Sequence, residues 1–140
     1  RRILTAIKIA AELERMGDHA RHLSKRARAV TDSAFTDVLP MIQDMAELGI
    51  SMVHDGLTAF IDDDEAAAVL VAARDDEIDG LHKKVYKKIL NIMRDNPELI
   101  EKGMELVLVN RFLERLGDHV TNMCESIVFS RRAEHVELNK

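Results

Sequence analysis

The chain has 140 residues, 46% of them apolar and 32% charged, with a net charge of −5. That length can bury a real core as one domain, and the acidic balance argues against nucleic acid as the main partner. The single Cys124 excludes an internal disulfide and fits a reducing cytosol, and no apolar run approaches the roughly 20 residues of a membrane span.

Aromatic residues are scarce, prolines number two, and Ala, Leu, Ile, Met, Glu and Lys are frequent. This composition predicts an all-α chain. Arg1-Arg2-Ile3-Leu4 imitates the basic start of a signal peptide, but Glu12 and Glu14 interrupt the apolar stretch too early. There is no initiator Met, and the chain opens inside a predicted helix, so it reads as a piece of a longer protein.

The first helix is predicted over residues ~2–31 by its 3.6-residue periodicity. Ile3, Ile7, Ala10, Ala11, Leu13, Met16 and Ala20 give it an apolar side. Lys25, Arg26 and Arg28 place cations near its C-terminus, where the helix dipole favours them. Thr31-Asp32-Ser33 reads as a break. The second helix is predicted over ~37–62, with Thr36 or Asp37 as N-cap and Pro40 in the first turn. Its apolar stripe runs from Leu39 through Ile42, Met45, Met52 and Leu57 to Phe60, and its methionines read as flexible core filler.

Asp62-Asp63-Asp64-Glu65 lacks the alternating ligands and central Gly of a calcium loop. It reads as an N-cap followed by acids at a helix N-terminus. The third helix is predicted over ~64–94, with Leu70, Val71, Ile78, Leu81, Val85, Ile89 and Ile92 in one arc. Asp75 and Asp79, four apart, flank that arc. Asp95-Asn96-Pro97-Glu98 marks a restart, and the fourth helix is predicted over ~97–133. Short loops between long helices make residues 37–133 an up-down-up three-helix bundle, preceded by one long helix.

One heptad occurs twice. Leu13-Glu14-Arg15-Met16-Gly17-Asp18-His19 matches Leu113-Glu114-Arg115-Leu116-Gly117-Asp118-His119 at six of seven positions. Agreement this close indicates an internal duplication. Glu and Asp stand four apart in each copy, so their carboxylates stack on one helix face. On a helical wheel Asp118 falls about 40° from Glu114, while the core stripe lies on the far side. An inward-facing di-iron site of the ferritin type therefore fits poorly. Gly117, costly in mid-helix, suggests close approach of a neighbouring helix.

If helices three and four turn their flanks together, Asp75, Asp79, Glu114 and Asp118 converge at a surface groove. Their charges would repel or take up protons, and a hard, oxygen-seeking cation would relieve both. The alternative from the same residues is a solvated acidic face. His19 and His119 point away from their neighbouring acids, whereas His22 shares a stripe with Glu14 and Asp18. Arg15 and Arg115 suit an anion or an intrahelical acid. The chain carries neither a P-loop nor a nucleophile with a paired base.

The second heptad, continued by Thr121-Asn122 and Glu125, resembles the signature helix of the PhoU family of phosphate-uptake regulators. Ile7-Lys8-Ile9-Ala10-Ala11-Glu12-Leu13-Glu14-Arg15 is similar to the matching helix of that family's first repeat, and Asp75-x-x-x-Asp79 fits its second. The resemblance implies two three-helix repeats with paired acids on two helices of each. It divides the chain into residues 1–33, the last helix of an incomplete first repeat; residues 37–133, a complete second repeat; and a tail, 134–140. By position it assigns metal ligation to Asp75, Asp79, Glu114 and Asp118, and to Glu14 and Asp18 of a half-represented first site. His22 stands where the second copy has Asn122. The implied cofactor is a divalent or ferric ion: iron, manganese, magnesium or zinc.

The implied role is regulatory and not catalytic. Family members restrain a phosphate ABC transporter, through its ATPase subunit, and a sensor histidine kinase, at the cytoplasmic face of the membrane and without inserting into it. The first helix, lacking its repeat partners, is expected to pack on another chain or in an altered place, giving a homo-oligomer, most simply a dimer. Two readings compete with a metal-bearing regulator: a carboxylate-bridged metalloenzyme and a metal-free helical adaptor.

Overall fold

Residues 1–27 and 32–138 are described by a computed structural model, and among them there is no strand. The helices are α1 (Arg2–Ala27), α2 (Leu39–Ile61), α3 (Glu65–Ala73), α4 (Asp75–Asp95) and α5 (Ile100–Arg132). Short 3₁₀ turns at Ser33–Phe35 and Pro97–Leu99 precede α2 and α5. The predicted end of the first helix, with Arg28 and Thr31, lies outside the described residues, as do residues 139–140 of the tail.

The 33-residue α5 is the axis of the fold, and α1, α2, α3 and α4 all pack on it. Met45 and Met52 of α2, Ile78, Val85 and Ile89 of α4, and Leu106, Val120, Met123 and Ile127 of α5 are fully buried in one core. Each such side chain contributes about 1.5–3 kcal/mol relative to leaving it in water. Two glycines set the distance between α2 and α5. A Cβ at Gly49 would lie 2.6 Å from Leu116 Cδ2, and one at Gly56 would touch Val120 and Met123.

Three boundaries differ from the periodicity reading. The predicted third helix is broken at Arg74, which closes α3 and opens α4. Its guanidinium is drawn across to α2, donating to Asp55 Oδ2 (2.6 Å) and Ser51 Oγ (3.0 Å). Second, α2 starts at Leu39 without a side-chain cap. Asp32 instead caps the preceding 3₁₀ turn by accepting from the Ala34 N–H. Third, α5 starts at Ile100, after the 3₁₀ turn at Pro97–Leu99; the Asn96 amide donates back to the Ile92 carbonyl, and its side chain accepts no cap hydrogen bond. The acidic run is a cap as read: Asp64 accepts from the Ala67 N–H.

α1 lies antiparallel on α5 of the same chain. Thr5 Oγ1 donates to the Ser126 carbonyl, Glu12 meets His119, and Arg26 donates to Glu105 Oε2 (2.8 Å), so partners descend one helix as they ascend the other. Its buried line is Thr5, Ile9 and Met16. Ile3 and Ile7, on the apolar side read from periodicity, are 79% and 62% exposed. The helix has two apolar lines, and α5 covers one.

Candidate metal centre

The acidic pairs of α4 and α5 face each other. At Gly117 a Cβ would lie 2.2 Å from Asp75 Oδ1 and 3.3 Å from Ile78 Cδ1. Only glycine lets α4 come this near, and Asp75 is 1% exposed as a result. The break at Arg74 puts Asp75 in the first turn of α4, where the N-terminal dipole favours a carboxylate. It is therefore not on an exposed flank, as the wheel had it, but inside the joint.

One turn on, Asp79 sits in the field of Glu114. Burial first, then the charges of Glu114 and Asp76, hold its carboxyl above the usual carboxylate range. Asp118 is raised in the same way, by burial and then by Glu114 and Asp79. Asp79, Glu114 and Asp118 thus form one electrostatic group spanning the two helices. Neighbouring basic side chains partly offset it. Arg111 forms an ion pair with Glu114 one turn away, and His82 Nε2 lies 3.9 Å from Glu114 Oε2.

Among the described residues no three His, Cys, Asp or Glu side chains stand in an arrangement that could hold a metal. Glu114 is turned onto Arg111, and Asp75 is seated against Gly117. The donors themselves suit a hard cation: all are carboxylates, and burial with neighbouring negative charge raises the pKa of two of them, which a cation would offset. Asn122 is exposed and stands beyond the group, and the Glu125 carboxylate accepts the Leu138 N–H of the returning tail.

The PhoU domain model matches residues 42–127, more than half of the chain. The chain belongs to the PhoU family. It is 34% identical over 139 residues to a phosphate-specific transport system accessory protein PhoU homolog of Clostridium acetobutylicum, covering 99% of this chain and 64% of that one. A homolog of the same description from Caulobacter vibrioides is also 34% identical, over 97% of this chain and 60% of its own length. The crystal structure of the phosphate transport system regulatory protein PhoU from Streptococcus pneumoniae superposes with a TM-score of 0.85 at 28% identity, covering 96% of this chain and 63% of that one. The chain spans less than two thirds of the length of these relatives.

Within this PhoU fold the two heptad copies differ in surroundings. Glu14 and Asp18 on α1 are exposed, and a Cβ at Gly17 would meet nothing within 4 Å. No carboxylate-bearing helix among the described residues faces them as α4 faces Glu114 and Asp118. His22 is likewise exposed, its ring stacked on Phe112. Arg15 takes the intrahelical option, donating to Glu12 Oε1 at 3.0 Å. The α1–α5 seam holds a group that the sequence reading passed over. Glu12 Oε2 lies 2.6 Å from His119 Nδ1, and the His119 ring stacks on His19. Burial, then His119 and Arg115, lower the His19 pKa. His82 was also missed, although its signal was in the spacing: Asp75, Asp79 and His82 fall at i, i+4 and i+7 of one helical stripe.

Proposed function

We propose that this chain is a regulatory module of phosphate uptake and phosphate-starvation signalling, working by protein contact and not by catalysis. Its partners in this reading are the ATPase subunit of a phosphate ABC transporter and a sensor histidine kinase, met in the cytoplasm. Among the described residues no helix is long and apolar enough to cross a membrane. The observation that carries the reading is the match, nearly end to end, to proteins described as accessory or regulatory in phosphate transport.

The second part of the proposal is a cation site between α4 and α5, held by Asp75, Asp79, Glu114 and Asp118. A bound ion (iron, manganese, magnesium or zinc) supplies positive charge that cross-links the two helices. The chain's own residues do the rest. Gly117 sets the helix spacing, and Asp79, Asp118 and Glu114, the last now paired with Arg111, would hold the ion. Self-association is a third part. The outward line of α1, with Ile3 and Ile7, is apolar surface suited to a second copy.

The regulatory reading is tested by expressing the chain in a bacterium that lacks its own PhoU and following a phosphate-starvation reporter. Restored repression in high phosphate supports it, and a derepressed reporter despite full accumulation of the protein overturns it. The cation site is tested by metal analysis of the purified chain beside Glu114→Gln and Asp79→Asn. Metal content that ignores both substitutions removes the site.

A further inference from the structure

Most of α4 is basic in an acidic chain. From Gly80 to Arg94 the sequence holds Lys83, Lys84, Lys87, Lys88 and Arg94 and neither Asp nor Glu, while the whole chain carries a net charge of −5. All five cations are exposed. None of them forms an ion pair among the described residues, although Lys83 acts on Asp79 through space. Arg26, Arg74, Arg111, Arg131 and Arg132, in contrast, each close on a carboxylate. At one residue per 100° the five cations of α4 fall within an arc of about 140°, with Asn91 near its middle. The arc's centre is about 150° from that of Ile78, Val85 and Ile89, which are fully buried on the core side. Over the roughly 16 Å from Lys83 to Arg94 no apolar or acidic side chain enters it; Asp76 and Glu77 bound the face at one end and Asp95 at the other.

The residue types decide which anionic surface this face suits. Interfaces between proteins are depleted of lysine and enriched in arginine and aromatic residues. Lysine is a compact point charge on a flexible stem, and it does not make the planar two-point bond that arginine makes with a single carboxylate or phosphate. Four lysines within Lys83–Lys88 therefore suit a layer of headgroups, where charge is spread over a plane and no fixed register is needed. Clusters of roughly four to eight Lys or Arg on one helix are a recognised means of holding anionic leaflets. Tyr86, 43% exposed, stands about 60° beyond the Lys83 edge of the arc, and its amphipathic ring suits headgroup depth. With no apolar wedge inside the arc the contact is peripheral, and no helix among the described residues is long and apolar enough to cross a bilayer.

We propose that the lysine face of α4 docks this chain, flat and reversibly, on a bilayer surface rich in anionic phospholipid. The inference is independent of the cation site and of self-association, and it adds a lipid surface to a regulator read above as working by protein contact. Each cation held near such a surface strengthens binding about 5-fold, and the gain fades within a Debye length, about 10 Å at 0.1 M salt.

The test is co-sedimentation of the 140-residue chain with vesicles of phosphatidylcholine alone or with about 30% phosphatidylglycerol. The chain should pellet with the mixed vesicles at about 0.05 M NaCl, leave them at about 0.5 M, and ignore the neutral ones. Lys84→Gln with Lys87→Gln should weaken binding about 25-fold. Arg21→Gln with Lys25→Gln, which removes the same charge from exposed positions of α1, should weaken it by less than about 3-fold. All four side chains are exposed, and circular dichroism checks that both variants fold. Equal loss in the two double variants would reduce the effect to net charge and overturn the lysine face. Wild-type binding that is absent, or equal on neutral vesicles, overturns the proposal outright. Soluble poly-glutamate and a DNA duplex are titrated alongside. Tighter binding to either than to the mixed vesicles assigns the face to a protein or a nucleic acid and refutes membrane docking.

Discussion

The duplicated heptad offers a paired experiment, because the same glycine occurs once against a neighbour and once in open space. In α1, replacing Gly17 with Ala meets nothing within 4 Å, so only helix propensity acts. That change should stabilise the chain by up to about 1 kcal/mol. In α5, Gly117→Ala gains the same propensity but places a Cβ 2.2 Å from Asp75 Oδ1 and 3.3 Å from Ile78 Cδ1. The carboxylate must swing away or the helices must part, and Asp75 at 1% exposure has little room. Overpacking of this kind costs about 1–3 kcal/mol, which more than offsets the propensity gain at its upper end. The expected net effect is a loss of up to about 2 kcal/mol. For a chain of this length the melting temperature should rise by up to about 4 °C for Gly17→Ala and fall by up to about 8 °C for Gly117→Ala. Circular dichroism melts and urea titrations at several protein concentrations measure both. Equal stabilisation by the two substitutions would refute the close approach of α4 to α5 on which the site geometry rests.

Asp79 has a folded pKa raised by burial and by Glu114. Its stabilising contribution is therefore fully present below the unfolded pKa of ~4 and is lost as pH rises through the folded value. Asp79→Asn should be more stable than wild type at pH ~7.5 by roughly 1 kcal/mol after solvent screening, with the gap closing below pH ~4; a pH-independent difference in urea melts would count against the repulsion. Arg74→Ala removes both bonds from the α3–α4 joint to α2 and should cost about 0.5–1 kcal/mol in a urea melt. The Arg74 hydrogen bond holds the Asp55 carboxyl below its ordinary range, so NMR titration of Asp55 in that variant should show an upward shift. Cys124 is buried, and its thiol is pushed up to about 12. Thiolate should be on the order of one part in 10⁴ at pH ~8, and labelling by a disulfide reagent should proceed only at the rate of unfolding.

Much of this fold follows from residue periodicity, and the departures have local causes. The four predicted rods are present because apolar residues recur at helical spacing and the loops are marked by acids, Asn and Pro. The break at Arg74 left no such mark. Residues 65–95 contain no proline, and the interruption comes from a guanidinium pulled sideways by Asp55 and Ser51, which are distant in sequence. That break buries Asp75, which a continuous wheel put on the flank. Gly117 was readable as a point of close approach, because a mid-helix glycine is costly unless something needs the space. His82 was readable too, since it extends the Asp75/Asp79 stripe, but attention to carboxylate pairs passed over it. The exposure of Ile3 and Ile7 could not be read, because apolar periodicity tells which faces need a cover and not which of them receives one.

The two heptads carry nearly the same side chains and have different chemistry. Glu14 and Asp18 repel each other across one turn in water, where the repulsion is screened and worth a few tenths of a kcal/mol. Glu114 and Asp118 have the same spacing, but α4 brings Asp79 opposite them and excludes solvent, and the pKa values of Asp79 and Asp118 are raised. The proposed cation site would therefore be a property of the helix pair and not of the heptad. In this chain Glu14→Gln with Asp18→Asn should leave bound metal unchanged, while the matching changes at Glu114 and Asp118 abolish it. Equal loss from both double variants, measured by metal analysis under the same loading, would mean that the α1 face finds an opposing acidic helix, from a second copy of the chain, and that the site is completed between molecules.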